Sequence, residues 1–359
     1  MTLLDGPRGR RLCLELARHA DADVGGILFD LAYNAGVAAG AGIVRFGVNE
    51  DGSTFETRGA VTPRGTSADL AAGIRALGGL EVDGAELDVA MLRCVDSARY
   101  WEQPDGEDLV AAEPVVCDAL TAIAGVLQRH PATQWWRRER TAAQWAIEFD
   151  PVADGAPFDA APDAAARWST GAREEEAQAA AERPADPNAN WSGTWWSHPY
   201  GAPHSTGALP SGVPVGIPYI EDGFGWKRAV AIPVRGAGRT FEVRSGDDWA
   251  RLCARYPLEV TASRRHDWYR TTGWIGRWVL PDWGRVAADW DAVHLTAWAY
   301  LTASTRAIAV DDECASVVAG WGPDETYWLT GLVRASDEPR VHWCADAPEG
   351  PWRRASAGV

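Results

Sequence analysis

LEVTASRRHDWYRTTG (258–273), WVLPDWGRVAADWDAVHLTAWAYL (278–301) and ASVVAGWGPDETYWL (315–329) hold tryptophans, short acidic turns and histidines more densely than any other part of the chain. Leu258-Glu259-Val260-Thr261 reads as a strand. Asp282 is a good N-cap for a short helix, WGRVAADW, and Val293-His294-Leu295-Thr296 returns as a strand. Residues 316–321 and 326–329 read as a hairpin across Gly322-Pro323-Asp324-Glu325, where turn residues cluster. A segment that switches between periods of 2 and 3.6 in this way implies an α+β domain.

Upstream, residues 228–235 and 239–244 are two β-type runs around Gly236-Ala237-Gly238, a second expected hairpin, with Pro233 placing its first strand at a sheet edge. Residues 247–256 form a short helix with Trp249, Leu252 and Cys253 inward, ended before Pro257. Residues 191–219 carry too much glycine and proline for regular structure and read as an irregular arm or lid. Residues 150–190 are rich in alanine, proline and acidic side chains, and Phe158 and Trp168 are the large apolar residues there. Such a segment buries too little to offset its ordering entropy, so a disordered-type linker is expected, with REEEAQAAAER a transient exposed helix.

The first 149 residues are mostly helical in pattern. Helices are expected over 7–19, 24–37, 66–77, 86–100 and 114–128. Thr66 with Asp69 makes an approximate capping box, and Leu87, Met91, Cys94, Val95 and Ala98 make one apolar stripe. Residues 43–48 alternate as a strand before the Asp51-Gly52 turn. Together with the chain length of 359 residues, the expectation is a helical domain over 1–149, a linker over 150–190 and a Trp-rich mixed α/β-sheet domain over 191–359.

The net charge is −16, which disfavours binding to a phosphate backbone. Charges interrupt every apolar run, including MTLLDGPRGRRLCLELARHA at the start, so neither a membrane span nor a signal peptide is expected. None of the six cysteines forms a CxxC pair. A cytoplasmic protein with reduced, mostly buried thiols follows as the expectation.

Fifteen of the 20 tryptophans lie between Trp191 and Trp352, and packing accounts for most of them. Trp195-Trp196 beside His198 is the preferred pair for stacking on a ligand, because a Gly/Pro-rich arm is a poor place for core residues. His266-Asp267 and Asp291-x-x-His294 are the histidine–carboxylate neighbours suited to general acid–base work, weighed against ordinary hydrogen-bonded histidines. His198-x5-His204 has no better metal spacing than these, no HExxH occurs, and no metal site is expected. Arg264, Arg265, Arg270 and Arg277, interleaved with Trp268, Tyr269, Trp274 and Trp278, suit the phosphate and base of a nucleotide; surface pairing with local aspartates is the plainer reading. P-loop, dinucleotide-fingerprint and serine-elbow patterns are absent from the sequence.

GPRGRRLCLELA (6–17), VDSARYWEQPDGED (95–108), SRRHDWYRTTG (263–273), PDWGRVAADWDAVHL (281–295) and AGWGPDETYWL (319–329) resemble uncharacterised two-domain proteins of high-GC Gram-positive bacteria. That resemblance implies a cytoplasmic, non-secreted protein and carries no activity. The C-terminal block also looks somewhat like the end of ADP-ribosyltransferase-type domains, in which a basic or histidine residue grips NAD and a late glutamate stabilises the transferring ribose. The matching positions are Arg264 or His266 and Glu325. The spaced Ser-Thr-Ser and the glutamate pair of that family are missing here.

Two functions therefore stand side by side. The first is a binding module for a small molecule or protein, with a Trp/Arg-lined pocket in the C-terminal part. The second is an enzyme using a nucleotide-type cosubstrate, with His266, Asp267, His294 and Glu325 as catalytic candidates and Arg264, Arg265, Trp268 and Arg270 as cofactor contacts. The enzyme requires His266, His294 and Glu325 to converge on one cleft.

Overall fold

A computed structural model describes residues 2–48, 51–78, 80–150 and 163–355. Pro7 at the first helical position behind Gly6 opens α1 (Pro7–Ala20). Asp21 caps α2 (Ala22–Ala38) by accepting from the Asp23 and Val24 amides. The hairpin of β1 (Arg45–Val48) and β2 (Thr54–Thr57) turns at Asp51-Gly52, where Gly52 has φ +81°. The expected Thr66/Asp69 capping box opens α3 (Ser67–Ala76), and Asp83 with Glu86 does the same for α4 (Gly84–Asp96). The stripe of Leu87, Met91, Cys94 and Val95 on α4 is buried, as its spacing predicts. Next come α5 (Gly106–Ala112), α6 (Pro114–Ala119) and α7 (Thr121–Arg129); the single helix expected over 114–128 is two, divided at Leu120.

The rest of the chain runs β3 (Gln144–Phe149), α8 (Ala164–Glu182), β4 (His204–Thr206), β5 (Arg228–Gly236), β6 (Thr240–Val243), α9 (Gly246–Arg255), β7 (Pro257–Glu259), α10 (Thr261–Thr272), β8 (Arg277–Pro281), α11 (Trp283–Asp289), β9 (Ala292–Leu295), α12 (Ala297–Ala303), β10 (Ile308–Ala309), β11 (Cys314–Ser316), β12 (Glu325–Trp328), β13 (Val333–Ala335), β14 (Val341–Cys344) and β15 (Arg353–Arg354). The main sheet has the order β15-β14-β5-β3-β4-β12-β9-β6, with β13 also paired to β5. A smaller sheet has the order β10-β11-β8-β7. The protein is α+β, and no helix among the described residues is long and apolar enough to cross a membrane.

The first expected hairpin has the right strands and the wrong partners, and in the second the strand before the turn is β11, at 314–316 rather than 316–321. β5 and β6 do not pair. β5 lies between β3 and β14, and β6 runs parallel to β9. Pro233 is therefore interior, opposite Trp145 on one side and between the stretches paired to β13 and β14 on the other. β11 and β12 belong to different sheets. Local turn chemistry cannot see these long-range partners, which bury more apolar surface than a hairpin would.

The expected boundary at residue 149 does not separate two cores. β3 ends at Phe149 inside the main sheet, and one hydrophobic cluster runs from Leu3 through Leu120 to Trp283 and Trp321. α1 reaches α12 closely enough that a Cβ on Gly6 would stand 2.4 Å from the Leu301 carbonyl oxygen. Cys13, Cys94, Cys253 and Cys314 are buried in this structure as small apolar side chains.

The expected linker also needs correction. Its residues 151–162 lie outside the described ones. Beyond them, α8 is docked, with Ala165, Ser169, Ala172 and Ala179 buried. Its acidic run is engaged in specific bonds rather than left in water. α10 begins at Val260 without a side-chain cap of its own, and Glu176 of α8 accepts from the Ala262 amide at 2.7 Å, the Ser263 amide at 2.8 Å and the Ser263 hydroxyl at 2.7 Å. A carboxylate at a helix N-terminus satisfies orphan N–H groups and meets the positive end of the dipole. Replacing Glu176 with alanine should cost about 1–2 kcal/mol of stability, read as a lower urea midpoint with an unchanged m-value. A midpoint equal to wild type would show that water caps α10 as well as Glu176 does.

Candidate acid–base site

Antiparallel register decides which side chains share a face. β12 pairs Glu325 with Thr206 and Tyr327 with His204 on β4, and β4 in turn pairs Thr206 with Trp145 of β3. Directly opposed residues point to one side, and alternate residues follow them. His204, Thr206, Glu325, Tyr327, Trp145, Ile147 and Phe149 therefore share one face of the main sheet. His294 pairs with Thr326 and stands on the opposite face.

That first face forms the floor of a cleft of about 350 Å³, whose walls come from the irregular arm: Trp195 and His198 on one side, Tyr219 and Glu221 on the other. Rings stack along it. His198 lies on Tyr327 with centroids 4.8 Å apart, and His204 lies on the same tyrosine at 5.4 Å. Trp195 stacks on Tyr100 at 5.5 Å, which joins the first half of the chain to the wall. Gly320, at φ +73°, passes so close beneath that a Cβ there would stand 3.0 Å from Cβ of Trp196 and 3.2 Å from Cδ2 of His198. The arm is thus a fixed wall of the cleft. Ser197 anchors it through its amide and hydroxyl, both donated to the Ala319 carbonyl.

Two carboxyl groups reach this cleft in different settings. Glu325 pairs with Nδ1 of His204 at 2.6 Å and accepts from the Gly322 amide at 2.7 Å. This partnership raises the proton affinity of His204 against the lowering effect of its surroundings. Half of the His204 side chain is open to solvent, which moderates the effect. Glu221 receives the Tyr100 hydroxyl on Oε1 at 2.5 Å, while its Oε2 is buried without a partner. Burial, reinforced by the Glu325 charge, pushes Glu221 up to about 8 against the hydroxyls of Tyr100 and Tyr300, which favour its charged form. Burial and the His204 charge push His198 down to about 4, with Glu325 acting in the other direction. At neutral pH the cleft therefore holds a neutral carboxylic acid at Glu221 and a neutral imidazole at His198 with a buried, unpartnered Nδ1, beside the hydrogen-bonded Glu325 and His204.

The sequence candidates fall in three places. Of the catalytic and cofactor candidates Glu325 is in this cleft, beside the stacking candidates Trp195 and His198. His294 is buried between Glu242, at 2.6 Å from Nδ1, and Asp324, 3.6 Å from Nε2. Burial would lower its proton affinity, but the two carboxylates outweigh it and hold the imidazole at about 9, so it ties β6, β9 and the 322–324 turn together as a cation. Asp267 accepts from the Ser192 hydroxyl at 2.8 Å and the Gly193 amide at 2.9 Å, pinning the start of the arm. His266 is buried beside it, with burial and Arg265 lowering its proton affinity. Convergence of His266, His294 and Glu325, required by the sequence reading, does not occur.

The cofactor candidates are engaged as well. Arg264 is buried against Glu175, Arg265 reaches the Ala185 carbonyl, and Arg270 holds Asp267 and the Trp191 carbonyl. Trp268 is fully buried and donates to the Trp195 carbonyl at 2.7 Å. Arg264 and His266 are thus apart from Glu325, and the pairing implied by the ADP-ribosyltransferase likeness is not assembled. Among the described residues no group of three or more His, Cys, Asp and Glu is placed to hold a metal ion.

Sequence reasoning found the Trp195/His198 wall through its odd composition and missed the floor and the acid. The signal for the floor was the alternation Gln144-Trp145-Ala146-Ile147-Glu148-Phe149. The signal for the acid was Glu221 directly after the apolar run Ile217-Pro218-Tyr219-Ile220.

Glu221 links this site to stability. Its folded pKa, about 8, exceeds the ordinary 4.5, so its contribution is complete below pH 4.5 and is lost as pH rises through 8. Between pH 5 and pH 9 the wild-type protein should lose on the order of 4 kcal/mol relative to Glu221→Gln, measured as the difference in urea unfolding free energy. His294 drifts in the same direction in both proteins and cancels; parallel pH curves would refute the buried acid. No family model matches this chain, and neither a curated protein nor a solved structure shows significant similarity to it.

Proposed function

We propose that the cleft is the active site of an enzyme that cleaves a glycosidic C–O or C–N bond in a small, ring-bearing molecule. The observation that carries this reading is two carboxyl groups with different partners in one aromatic cleft: Glu221, whose Oε2 is buried without a partner and whose burial pushes it up to about 8, and Glu325, bonded to His204 and the Gly322 amide. A carboxyl group kept protonated beside a second one that accepts bonds from a ring nitrogen and a backbone N–H suits acid catalysis with a carboxylate at hand. Trp145, Phe149, Trp195 and Tyr219 offer ring faces to a sugar or base, and a volume of about 350 Å³ suits a ligand of nucleoside size.

The chemistry follows from the partners. Glu221 Oε2, free of any protein bond, gives its proton to the departing oxygen or nitrogen as the bond to the ring carbon breaks. The Glu325 carboxylate, steadied by His204 and the Gly322 amide, stabilises the positive charge that develops on that carbon. Water then adds to the carbon and gives up its proton to Glu325, which returns it to Glu221 through solvent. The ADP-ribosyl reading shares the stabilisation of that carbon by Glu325 but ends on an acceptor other than water, and it lacks the Arg264 or His266 contact in the cleft.

The test is product release from aryl glycosides and from nucleosides. Glu221→Gln and Glu325→Gln should each lower kcat by roughly 100-fold or more, with a smaller change in KM. The wild-type rate should fall on the alkaline side near pH 8, where Glu221 ionises. Ligand-dependent quenching of tryptophan fluorescence with no turnover would instead make the cleft a binding module. Full activity in Glu221→Gln would sink the proposed acid.

A further inference from the structure

A second cavity, about 550 Å³, lies where the two halves of the chain meet, between the start of α1, the loop after α4, the end of α10 and the segment after α12. Arg10 and Arg306 line it from opposite halves. Among the described residues neither forms an ion pair, whereas most arginines of this acidic chain do. Arg10 uses one bond, to the Leu4 carbonyl at 2.9 Å, and its Nε is buried with no partner. Arg306 uses its Nε on the Thr302 carbonyl at 3.0 Å, and no hydrogen bond is formed by its terminal nitrogens among the described residues. The nearest negative charges act only at longer range, and the Asp5 carboxylate is already bound to the amide and hydroxyl of Thr2.

Carboxylates do border this cavity, but they are committed. Asp108 is paired with Arg8, Asp105 with Arg11, and Asp96 accepts from the Gly223 amide at 2.7 Å. Glu102 is exposed at the rim. Arg10 and Arg306 are left as two half-buried cations; burial, with smaller parts from Arg8 and Arg306, lowers the proton affinity of Arg10 against the opposing effects of Cys117 and Asp108. Two guanidinium forks with open donors, and the hydroxyl-bearing Thr271 and Thr272 beside them, match the acceptor oxygens of a dianion.

We infer that this cavity is a binding site for the phosphate group of a small hydroxylated phosphate monoester, with Arg10 and Arg306 gripping the phosphate. The volume exceeds what phosphate alone needs, and the threonine hydroxyls suit the hydroxyls of a sugar or polyol. This site is separate from the acid–base cleft and stands whether or not that cleft is catalytic.

Calorimetric titration of the full chain with ribose 5-phosphate, inorganic phosphate and ribose tests the inference. The sugar phosphate should bind most tightly, phosphate more weakly and ribose not measurably, and thermal unfolding should shift upward with the first two. Arg10→Gln or Arg306→Gln should weaken sugar-phosphate binding at least about tenfold, because each removes a charge-assisted bond. Arg306→Lys, which keeps the charge and loses the fork, should lie in between. Without ligand, Arg306→Gln should unfold no earlier than wild type, since it removes one of two like charges. No saturable binding of either phosphate, or equal binding by wild type and both Gln variants, would overturn the site.

Discussion

The pairing of β12 with β4 on one side and β9 on the other is the constraint on which the candidate chemistry depends. A slip of one residue turns every side chain to the opposite face. Glu325 and Tyr327 would then be exchanged for Thr326 and Trp328, and that face would lose its carboxyl group and the ring on which His198 and His204 stack. The pins that prevent this slip are on the hidden face. The Trp328 indole donates to the Ser205 hydroxyl at 2.8 Å, and that hydroxyl donates to Gln144 at 2.8 Å, linking β12, β4 and β3. The Trp328 ring fills the space where a Cβ on Gly236 would stand, 1.8 Å from its nearest carbon, so it fits one register of β5 only. His294, between Glu242 and Asp324, adds a charged tie from β9. Polar bonds buried on one face thus set the geometry of the other, and being fully desolvated they are costly to break.

Within the cleft, the difference between the two glutamates comes from their partners. Burial draws Glu221 toward neutrality. Glu325 is given a cation and a backbone N–H, bonds that favour the charged form and are about twice as strong as neutral ones. Glu221 is given a tyrosine hydroxyl and a setting of further phenols, and its second oxygen receives nothing. A tyrosine donor does not offset the loss of water around a full charge. Once Glu325 is ionised, its field makes ionisation of Glu221 harder still. The asymmetry is therefore self-reinforcing, and it requires only that the arm bring Glu221 to the same face as Glu325.

Helix positions were legible in the sequence wherever caps and periodicity agree. Thr66 with Asp69 and the α4 stripe show this, because both signals are local. Strands were legible as segments and illegible as partners: residues 228–236 and 240–243 are strands, but their ladder bonds go to β3, β14 and β9. Residues 164–182 misled because composition describes what a segment can bury by itself. Glu175 and Glu176 are stabilised by Arg264 and the N-terminus of α10, nearly 90 residues away in the chain. The same blindness applies to the site. Glu325 was accessible through the acidic-aromatic turn around it, whereas Glu221 and His204 acquire meaning only from the sheet register and from Tyr100, which is 121 residues from Glu221.

Arginine usage carries the same argument into the charge balance. In a chain with 50 acidic and 34 basic side chains, a guanidinium that meets a carboxylate is the ordinary outcome and says little about ligands. Arg264, Arg270 and Arg277 look in sequence like an anion site, and each is occupied by Glu175, Asp267 or Glu259. Arg8 and Arg11 hold Asp108 and Asp105, which fixes α1 against α5 and removes those carboxylates from the reach of their neighbours. What is informative in such a background is the exception, a cation with acids all around it and none bound. Arg10 and Arg306 are two such cations among the described residues, and both line the cavity at the junction where α1 meets the segment after α12. Two like charges half-removed from water raise the energy of the empty cavity. Ordinary folding would remove that cost by a nearby aspartate, as it does at Arg8, so its persistence here is accounted for by a charge that arrives from outside the chain.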